Sequence, residues 1–318
     1  MTLPLLHPLT ADAKRRHGRE PVVLLHRLAE TGLFTDEALA RLIDRHPREL
    51  IDVLTMKRNP PPDERWIAGE AKGMSGKDLM EAVRRGRLWL NLRRAMSADV
   101  EYRAVFEPLL AEFAKETRST ILSAVGGILI SSPRCGIFYH CDPTETMLWH
   151  VRGKKTIYLY PPDDTHLPEQ AYEAAILKET LNDLPYRPEF EAGAKPVVLE
   201  PGMAATWPLH GPHRVVNHDS LNVSVTIEYS TARSKLANGV FFTNGVLRRK
   251  LGLNPRSRTV PTVLKPAYWL ASKLLQRLVP LPDAPRNHVR AFDVDLKAPD
   301  CIAWRPGLEP AEPMDRAA

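Results

Sequence analysis

The chain has 318 residues and a mass of 35.8 kDa, about twice the common size of one domain, so we expect one large domain with appendages or two packed units. Hydrophobic residues at 43% and charged residues at 26% exclude a disordered or collagen-like chain, and 29 prolines favour turns and strand ends over a helical bundle. Three cysteines without a CxxC pair exclude a disulfide scaffold and a cysteine-based zinc site. No apolar run approaches the ~20 residues of a membrane span, and the first residues lack a secretory signal. We therefore expect a soluble, cytoplasmic protein without membrane contact.

The net charge of +6 is unevenly distributed along the chain. Residues 231–290 contain twelve Lys and Arg against one acidic residue, a local charge of +11, which leaves −5 for the remainder. Such a segment could contact nucleic acid, a membrane surface or an acidic partner, and it could equally be a solvated basic face.

The first third of the chain has mainly helical patterns. Leucine and isoleucine recur at helical spacing between residues 20 and 50, which predicts helices there, one of them starting near Thr35 and ending at Pro47. Three prolines at 60–62 predict a connection, Ser75 marks the start of a further helix, and residues 100–113 form another amphipathic pattern. We therefore predict a helical N-terminal segment, residues 1–118, packed on the core.

From about residue 120 the pattern changes to short runs rich in β-branched and aromatic residues, separated by Gly, Pro, Asn and Asp. This predicts an antiparallel sandwich or barrel over residues 119–230, with one helical insertion at 166–184. Residues 231–318 are then expected to be basic and partly helical, with an amphipathic helix between Pro266 and Pro280 and a loose tail after Arg305. The predicted strands are 121–130, 136–140, 147–151, 156–160, 197–200, 204–207, 214–216 and 223–229.

The residues that could carry chemistry are histidines and carboxylates, because phosphate-loop, dinucleotide and GxSxG motifs are missing. His140 and Asp142 occupy alternate positions at the end of one predicted strand, so their side chains project to the same side. His213 starts another predicted strand 71 residues after Asp142. Two histidines and one carboxylate leave half of an octahedral metal's positions free, as a non-haem Fe(II) oxygenase requires. A hydrogen-bonded His–Asp pair without metal is the alternative.

The run from His140 to Pro162 resembles the Jumonji-type, cupin-like Fe(II)/2-oxoglutarate-dependent oxygenases: an HxD is followed by a strand, a tight turn at Gly153, a lysine and a strand that ends in Pro-Pro. The resemblance covers roughly residues 120–230. It implies a mainly β fold with α additions, namely a double-stranded β-helix or jelly roll. It further implies Fe(II) and 2-oxoglutarate as cofactors, His140, Asp142 and His213 as metal ligands, and Lys155 as the cation for the distal carboxylate of 2-oxoglutarate. The implied activity is hydroxylation of a protein side chain or of a small amino-acid-like metabolite.

Two features depart from that family's pattern. Family members often carry a Thr or Tyr hydroxyl three residues before the first ligand, where this chain has Ile137. We expect another hydroxyl near the cosubstrate to replace it, and the candidates are Thr156, Tyr139, Tyr158 and Thr226. His210, His213 and His218 also crowd one segment. We prefer His213 as the third ligand, with His210 as the alternative.

Two other classes of function remain open from the sequence. A cupin-fold binding protein without turnover would keep the same jelly roll, and the missing hydroxyl at position 137 favours it. A nucleic-acid-associated protein would use the basic segment 231–290, although no DNA-reading motif accompanies the charge. The apolar face of the 266–279 helix must be covered, either by the N-terminal helices or by a second copy of the chain, and we favour a homodimer.

Overall fold

The computed structural model describes residues 3–180, 184–282 and 289–310. The helices in these ranges are α1 (Ala11–Arg16), α2 (Asp36–Arg45), α3 (Gly76–Arg85), α4 (Ala95–Ala98), α5 (Val100–Thr117), α6 (Glu169–Ile176), α7 (Ala232–Leu251) and α8 (Lys265–Leu278). The strands are β1 (Val22–Leu25), β2 (Ile51–Thr55), β3 (Ile67–Glu70), β4 (Trp89–Leu92), β5 (Ser123–Ser131), β6 (Gly136–His140), β7 (Glu145–Arg152), β8 (Lys155–Leu159), β9 (Lys195–Leu199), β10 (Met203–Thr206), β11 (His213–Asn217), β12 (Asn222–Ser230), β13 (Phe292–Val294) and β14 (Ile302–Trp304). Short 3-10 turns cover 28–31, 48–50, 188–193, 262–264 and 299–301.

Strands β5 to β12 form a jelly roll, as the sequence predicts. Four of them are adjacent in one sheet in the order β10-β7-β12-β5, and the other four form the second sheet in the order β6-β11-β8-β9. Every neighbouring pair in these two sets is antiparallel. The eight predicted strand runs all correspond to observed strands, so the predicted double-stranded β-helix is confirmed.

The alternation of side chains along each strand creates separate cores on the two faces of the sheets. On β12, Val225, Ile227 and Tyr229 pack against helices outside the large sheet, which leaves Thr226 and Glu228 facing the space between the sheets. Part of that space is lined by an apolar cluster that includes Trp89, Leu148 and Ile157. Aromatic residues on the outer face of the small sheet form a third cluster under α6 and α7.

The N-terminal third differs from the predicted helical segment. The helix starts at Thr35 and Ser75 are confirmed, since each side chain caps its helix by accepting a backbone N–H bond, and α5 covers the predicted 100–113 pattern. However, β1 lies where a helix was expected, and β2, β3 and β4 were not predicted. These four strands extend the large sheet at both edges, β1 beside β10 and β4 beside β5, and with β13 and β14 the sheet has ten strands in the described residues. The division of the chain at residues 118 and 230 stays a prediction.

The C-terminal third contains the predicted helix as α8, preceded by an unpredicted and longer helix, α7. Helix α8 packs along α7 and not on the N-terminal helices: a Cβ added at Gly239 would lie 2.6 Å from the Cα of Trp269. Strands β13 and β14 return to the edge of the large sheet next to β3. The predicted loose tail falls partly on residues 311–318, which lie outside the described residues. No helix in the described ranges combines the length and the apolar character needed to span a bilayer.

Candidate metal centre

His140, Asp142 and His213 converge at one end of the space between the two sheets. His140 ends β6 and His213 begins β11, and the two residues are cross-strand partners with ring centroids 4.1 Å apart. Asp142 follows two residues after His140, and its Oδ2 lies 3.6 Å from Nε2 of His213. One nitrogen or oxygen of each side chain lies within 4.8 Å of the other two. The structure therefore brings the three predicted ligands together.

Backbone carbonyls fix the orientation of both imidazole rings. Nδ1 of His140 donates to the carbonyl oxygen of Phe138 at 2.8 Å, and Nδ1 of His213 donates to that of Gly211 at 3.1 Å. Because a carbonyl oxygen can only accept, each Nδ1 carries a proton, and in the neutral ring Nε2 therefore keeps a free lone pair. This tautomer is the form that binds a metal through Nε2.

Burial favours the neutral form of the third ligand. His213 is almost fully buried, and this burial, with a smaller contribution from His140, lowers its pKa to about 3. A ring that is neutral at physiological pH needs no deprotonation before it coordinates a metal. The Trp207 ring, with its centroid 4.6 Å from that of His213, provides part of this burial.

The triad lies in the wall of a cavity of about 420 Å³ between the two sheets. Its small-sheet wall contains the histidines and Lys155, and its large-sheet wall contains polar side chains from β4, β7 and β12. Residues that line the cavity are Trp66, Trp89, Asn91, Leu129, Ile137, Phe138, His140, Asp142, Thr146, Leu148, Lys155, Ile157, Ala175, Lys178, Thr180, Trp207, His213, Val215, Thr226 and Glu228.

Lys155 is a fully buried ammonium group in this wall. Its side chain has 0% exposure, and Nζ has no hydrogen-bond partner within the described residues. The nearest aromatic support is the Trp89 ring, whose centroid lies 5.3 Å from Nζ. Desolvation lowers the pKa of Lys155 to about 7. An unpaired cation at such a position is costly, and an anionic ligand would relieve the cost.

The other residues predicted to contact the cosubstrate differ in which face of their strand they occupy. Thr226 lines the cavity together with Lys155, whereas Thr156 and Tyr139 do not. Thr156 follows Lys155 on β8 and therefore faces the opposite way, where its hydroxyl bonds Nε2 of His218 at 2.9 Å. Tyr139 precedes His140 on β6 and donates its hydroxyl to the carbonyl oxygen of His166 at 2.6 Å. These positions correct the expectation that Thr156 or Tyr139 contacts the cosubstrate.

The competing histidines have other partners. Nε2 of His210 lies 2.8 Å from Oδ1 of Asn238, and His218 bonds Thr156 on the outer face of β8. Neither ring lines the cavity. The structure thus separates His213 from its two neighbours, in agreement with the preference for His213.

The sequence analysis missed Glu228, a carboxylate that lines the cavity on β12 two residues after Thr226. Burial, and secondarily the charge of Asp142, raises the pKa of Glu228 to about 7. Residues two apart on a strand face the same side, so the predicted cavity position of Thr226 also indicated that Glu228 faces the cavity. Trp66 and Asn91, from the loop before β3 and from β4, were also missed, because no pattern in the sequence places them beside the jelly roll.

No protein-family model and no curated protein matches the chain. Among solved structures, the chain is similar to YcfD of Escherichia coli, with 17% identity over 88% of this chain and 70% of that chain and a TM-score of 0.47. It is also similar to the structure titled YcfD, a ribosomal oxygenase from Escherichia coli, in complex with cobalt and 2-oxoglutarate, with 16% identity over 86% and 68% of the two chains and a TM-score of 0.46. The corresponding complex with cobalt and succinic acid gives 17% identity over 88% and 69% and a TM-score of 0.45.

Proposed function

We propose that the protein is an Fe(II)- and 2-oxoglutarate-dependent oxygenase that hydroxylates a protein side chain or a small amino-acid-like metabolite. The observation that carries this proposal is the combination, in one cavity, of the His140–Asp142–His213 triad and the unpartnered ammonium group of Lys155. The chemistry of both groups fits the two cofactors.

The triad fits Fe(II) by its donor set. Two neutral imidazoles and one carboxylate suit a non-haem iron that keeps open coordination positions, whereas a closed structural zinc takes four protein ligands. The three donor side chains form a compact cluster, and in the neutral rings the Nε2 lone pairs of the two histidines are free. His140, Asp142 and His213 would therefore hold the metal and leave room for a chelating cosubstrate.

Lys155 and Thr226 fit the dicarboxylate. A buried ammonium and a hydroxyl that face one cavity can bind the distal carboxylate of 2-oxoglutarate through charge-assisted hydrogen bonds. Thr226 would then replace the hydroxyl that Ile137 lacks, so the absent hydroxyl does not by itself favour a binding protein without turnover.

When bound, iron and 2-oxoglutarate together supply the activation of O₂ that hydroxylation of a C–H bond requires. The protein's own residues orient the reactants and exclude water. Phe138, Trp207 and Trp66 surround the triad side of the cavity with aromatic surface, which limits solvent access to the ligands. Glu228 and Thr146, cross-strand neighbours on the large sheet, offer a polar wall opposite the small sheet for the substrate.

The test is anaerobic titration of the protein with Fe(II) and then 2-oxoglutarate. We expect a weak visible charge-transfer band to appear only when both are present, and succinate to form in proportion to O₂ consumed when air is admitted. Asp142→Ala should abolish the band. A band that forms in the wild type without any succinate production would favour a binding protein, and no band at saturating concentrations would overturn the proposal.

We further propose self-association through α8. Leu270, Leu274 and Leu278 follow one another at four-residue spacing and are 62%, 58% and 67% exposed, an apolar stripe of the kind that marks interaction surfaces. Wild-type protein should sediment as a dimer at micromolar concentration, and Leu274→Glu as a monomer. A monomeric wild type contradicts this proposal. A cytoplasmic location is proposed as well, supported by three buried cysteines that are all free thiols.

A further inference from the structure

Helix α7 contacts the loops of the candidate metal centre through Asn238, and its Phe241 ring packs on the His210 ring at a centroid distance of 5.7 Å. Oδ1 of Asn238 accepts a hydrogen bond from the Tyr172 hydroxyl at 2.8 Å and lies 2.8 Å from Nε2 of His210, and Nδ2 of Asn238 donates to the carbonyl oxygen of Pro143 at 2.6 Å. Three separate segments of the chain therefore meet at one amide group. They are helix α6, the loop that follows β6 and the loop that precedes β11.

The two loops are those that carry the predicted ligands. Pro143 directly follows Asp142, so the bonded carbonyl belongs to the residue next to that ligand. His210 lies three residues before His213, and between them Gly211 provides the carbonyl oxygen that orients the His213 ring. The amide of Asn238 thus joins the loop of the carboxylate ligand to the loop of the third histidine.

The backbone of the second loop requires such a support. His210 has a φ of +63°, in the left-handed region that residues other than glycine adopt at a cost. Its ring is buried against the Tyr172 ring at a centroid distance of 4.3 Å, and burial lowers its pKa to about 3, so the neutral ring donates Nε2–H to Asn238. This bond holds the turn that sets the position of Gly211.

We propose that Asn238 is a positioning residue: by joining the Asp142 loop to the His210–His213 loop, it sets the distance between the carboxylate and imidazole ligands before a metal binds. The inference rests on the proposed function only in assuming that the triad binds a metal. It concerns neither 2-oxoglutarate nor the substrate.

The test compares Asn238→Ala with a matched control, Asn244→Ala. Asn244 is on the same helix, is fully buried and donates to the Ser257 hydroxyl at 3.1 Å, and within the described residues its side chain bonds neither ligand loop. Loss of either amide loosens α7. Only loss of Asn238 should change the metal site.

Co(II) is the probe, because its visible absorption reports coordination geometry without turnover. Asn238→Ala should bind Co(II) ~10- to 100-fold more weakly than wild type and with an altered spectrum, the range found when a group supporting a metal ligand is removed. Asn244→Ala should bind Co(II) like wild type, although its metal-free unfolding temperature falls. Equal Co(II) affinity in wild type and Asn238→Ala, or an equal loss in both variants, overturns the inference.

The isosteric Asn238→Asp keeps the test available if the alanine variant does not fold. It retains an acceptor for Tyr172 and His210 but has no donor for the Pro143 carbonyl, so its Co(II) affinity should also fall. Wild-type affinity in this variant overturns the inference. Wild-type protein that binds no Co(II) would instead refute the metal centre itself, and the two failures are thereby distinguished.

Discussion

Replacement of Lys155 by methionine removes the one charged side chain of β8, which lines the cavity, while nearly preserving side-chain volume. In the free protein this ammonium group is fully buried and lacks a hydrogen-bond partner in the described part of the chain. Burial lowers its pKa to about 7. A dicarboxylate that binds beside it should restore the ordinary preference for the charged form.

The magnitude follows from that pKa. At pH 8 a group with a pKa of about 7 is roughly one-tenth protonated, so binding of the dicarboxylate should be accompanied by uptake of ~0.9 proton. At pH 6 the group is already about nine-tenths protonated and the uptake should fall to ~0.1. Loss of the charge-assisted hydrogen bond, worth on the order of 1.5–3 kcal/mol, should weaken 2-oxoglutarate binding by ~10- to 150-fold.

The stability of the ligand-free protein provides a second measurement. A lysine whose folded pKa lies below its unfolded pKa binds its proton more readily in the unfolded state. Stability therefore rises with pH between about 7 and 10.5, here by on the order of 4–5 kcal/mol. Lys155→Met should be more stable than wild type at pH 7 and should lack this contribution to the rise.

The assay is calorimetric titration of the anaerobic Fe(II)-loaded protein with 2-oxoglutarate, at pH 6 and pH 8, in two buffers of different ionisation enthalpy. Lys154→Met is the matched control, because Lys154 precedes Lys155, is exposed, and pairs with Glu200 at 3.0 Å. It should behave like wild type. Proton uptake near zero at pH 8, or unchanged 2-oxoglutarate affinity in Lys155→Met, would refute this role for Lys155.

Three further predictions concern single side chains. Asp142→Asn should weaken Co(II) binding at least tenfold, because a neutral amide replaces the one anionic ligand, and equilibrium dialysis showing wild-type affinity would exclude Asp142 from the site. Glu228→Gln should remove a loss of stability that metal-free wild type shows as pH rises above about 4.5, since burial and the charge of Asp142 raise the pKa of Glu228 and favour its protonated form. Parallel urea-unfolding profiles for the two proteins would contradict this. Gly239→Ala should lower stability by about 1–3 kcal/mol, because the new Cβ would lie 2.6 Å from the backbone of Trp269, and an unchanged unfolding midpoint would show that α8 moves freely.

The jelly roll was predictable because its strands carry their own signal. β-Branched and aromatic runs separated by Gly, Pro and Asn identify a strand from local sequence alone, and residues 136–140 correspond to β6. By contrast, the spacing of the leucines in β1 is compatible with both a helix and a strand. This segment is a strand because it pairs with β10, some 180 residues away in sequence. Pairing partners at that separation are not encoded in local periodicity.

Helix α7 was not predicted for the opposite reason. Residues 239–246 are buried as a continuous run, so the helix has no apolar stripe with a polar opposite face. That run also contains two glycines and two phenylalanines, which weaken a helical prediction. The helix forms because α6 and α8 cover it on several sides, and its Thr231 capping box marks the start.

Some site residues could be predicted from the sequence and others could not, depending on whether local backbone geometry alone determines their position. His140 with Asp142, and Lys155 in the motif after them, follow from alternation and spacing along adjacent strands. The same alternation places Tyr139 and Thr156 on the opposite face of their strands, because each is next to an inward-facing residue. The sequence alone could therefore have excluded both from contact with the cosubstrate. Asn238 was not, since it lies on the unpredicted helix and contacts the ligand loops only through tertiary packing.

The basic segment is best understood together with the insertion that precedes it. Arg248 pairs with the fully buried Glu173 at 2.9 Å, and Arg249 bonds Glu179. Arg258 pairs with Asp164 at 2.6 Å. These three arginines neutralise acidic side chains of residues 163–179, and their charge is therefore used within the chain. These ion pairs hold α6 against α7 and thereby keep Tyr172 beside Asn238. The basic residues of the segment thus contribute to the support of the candidate metal centre.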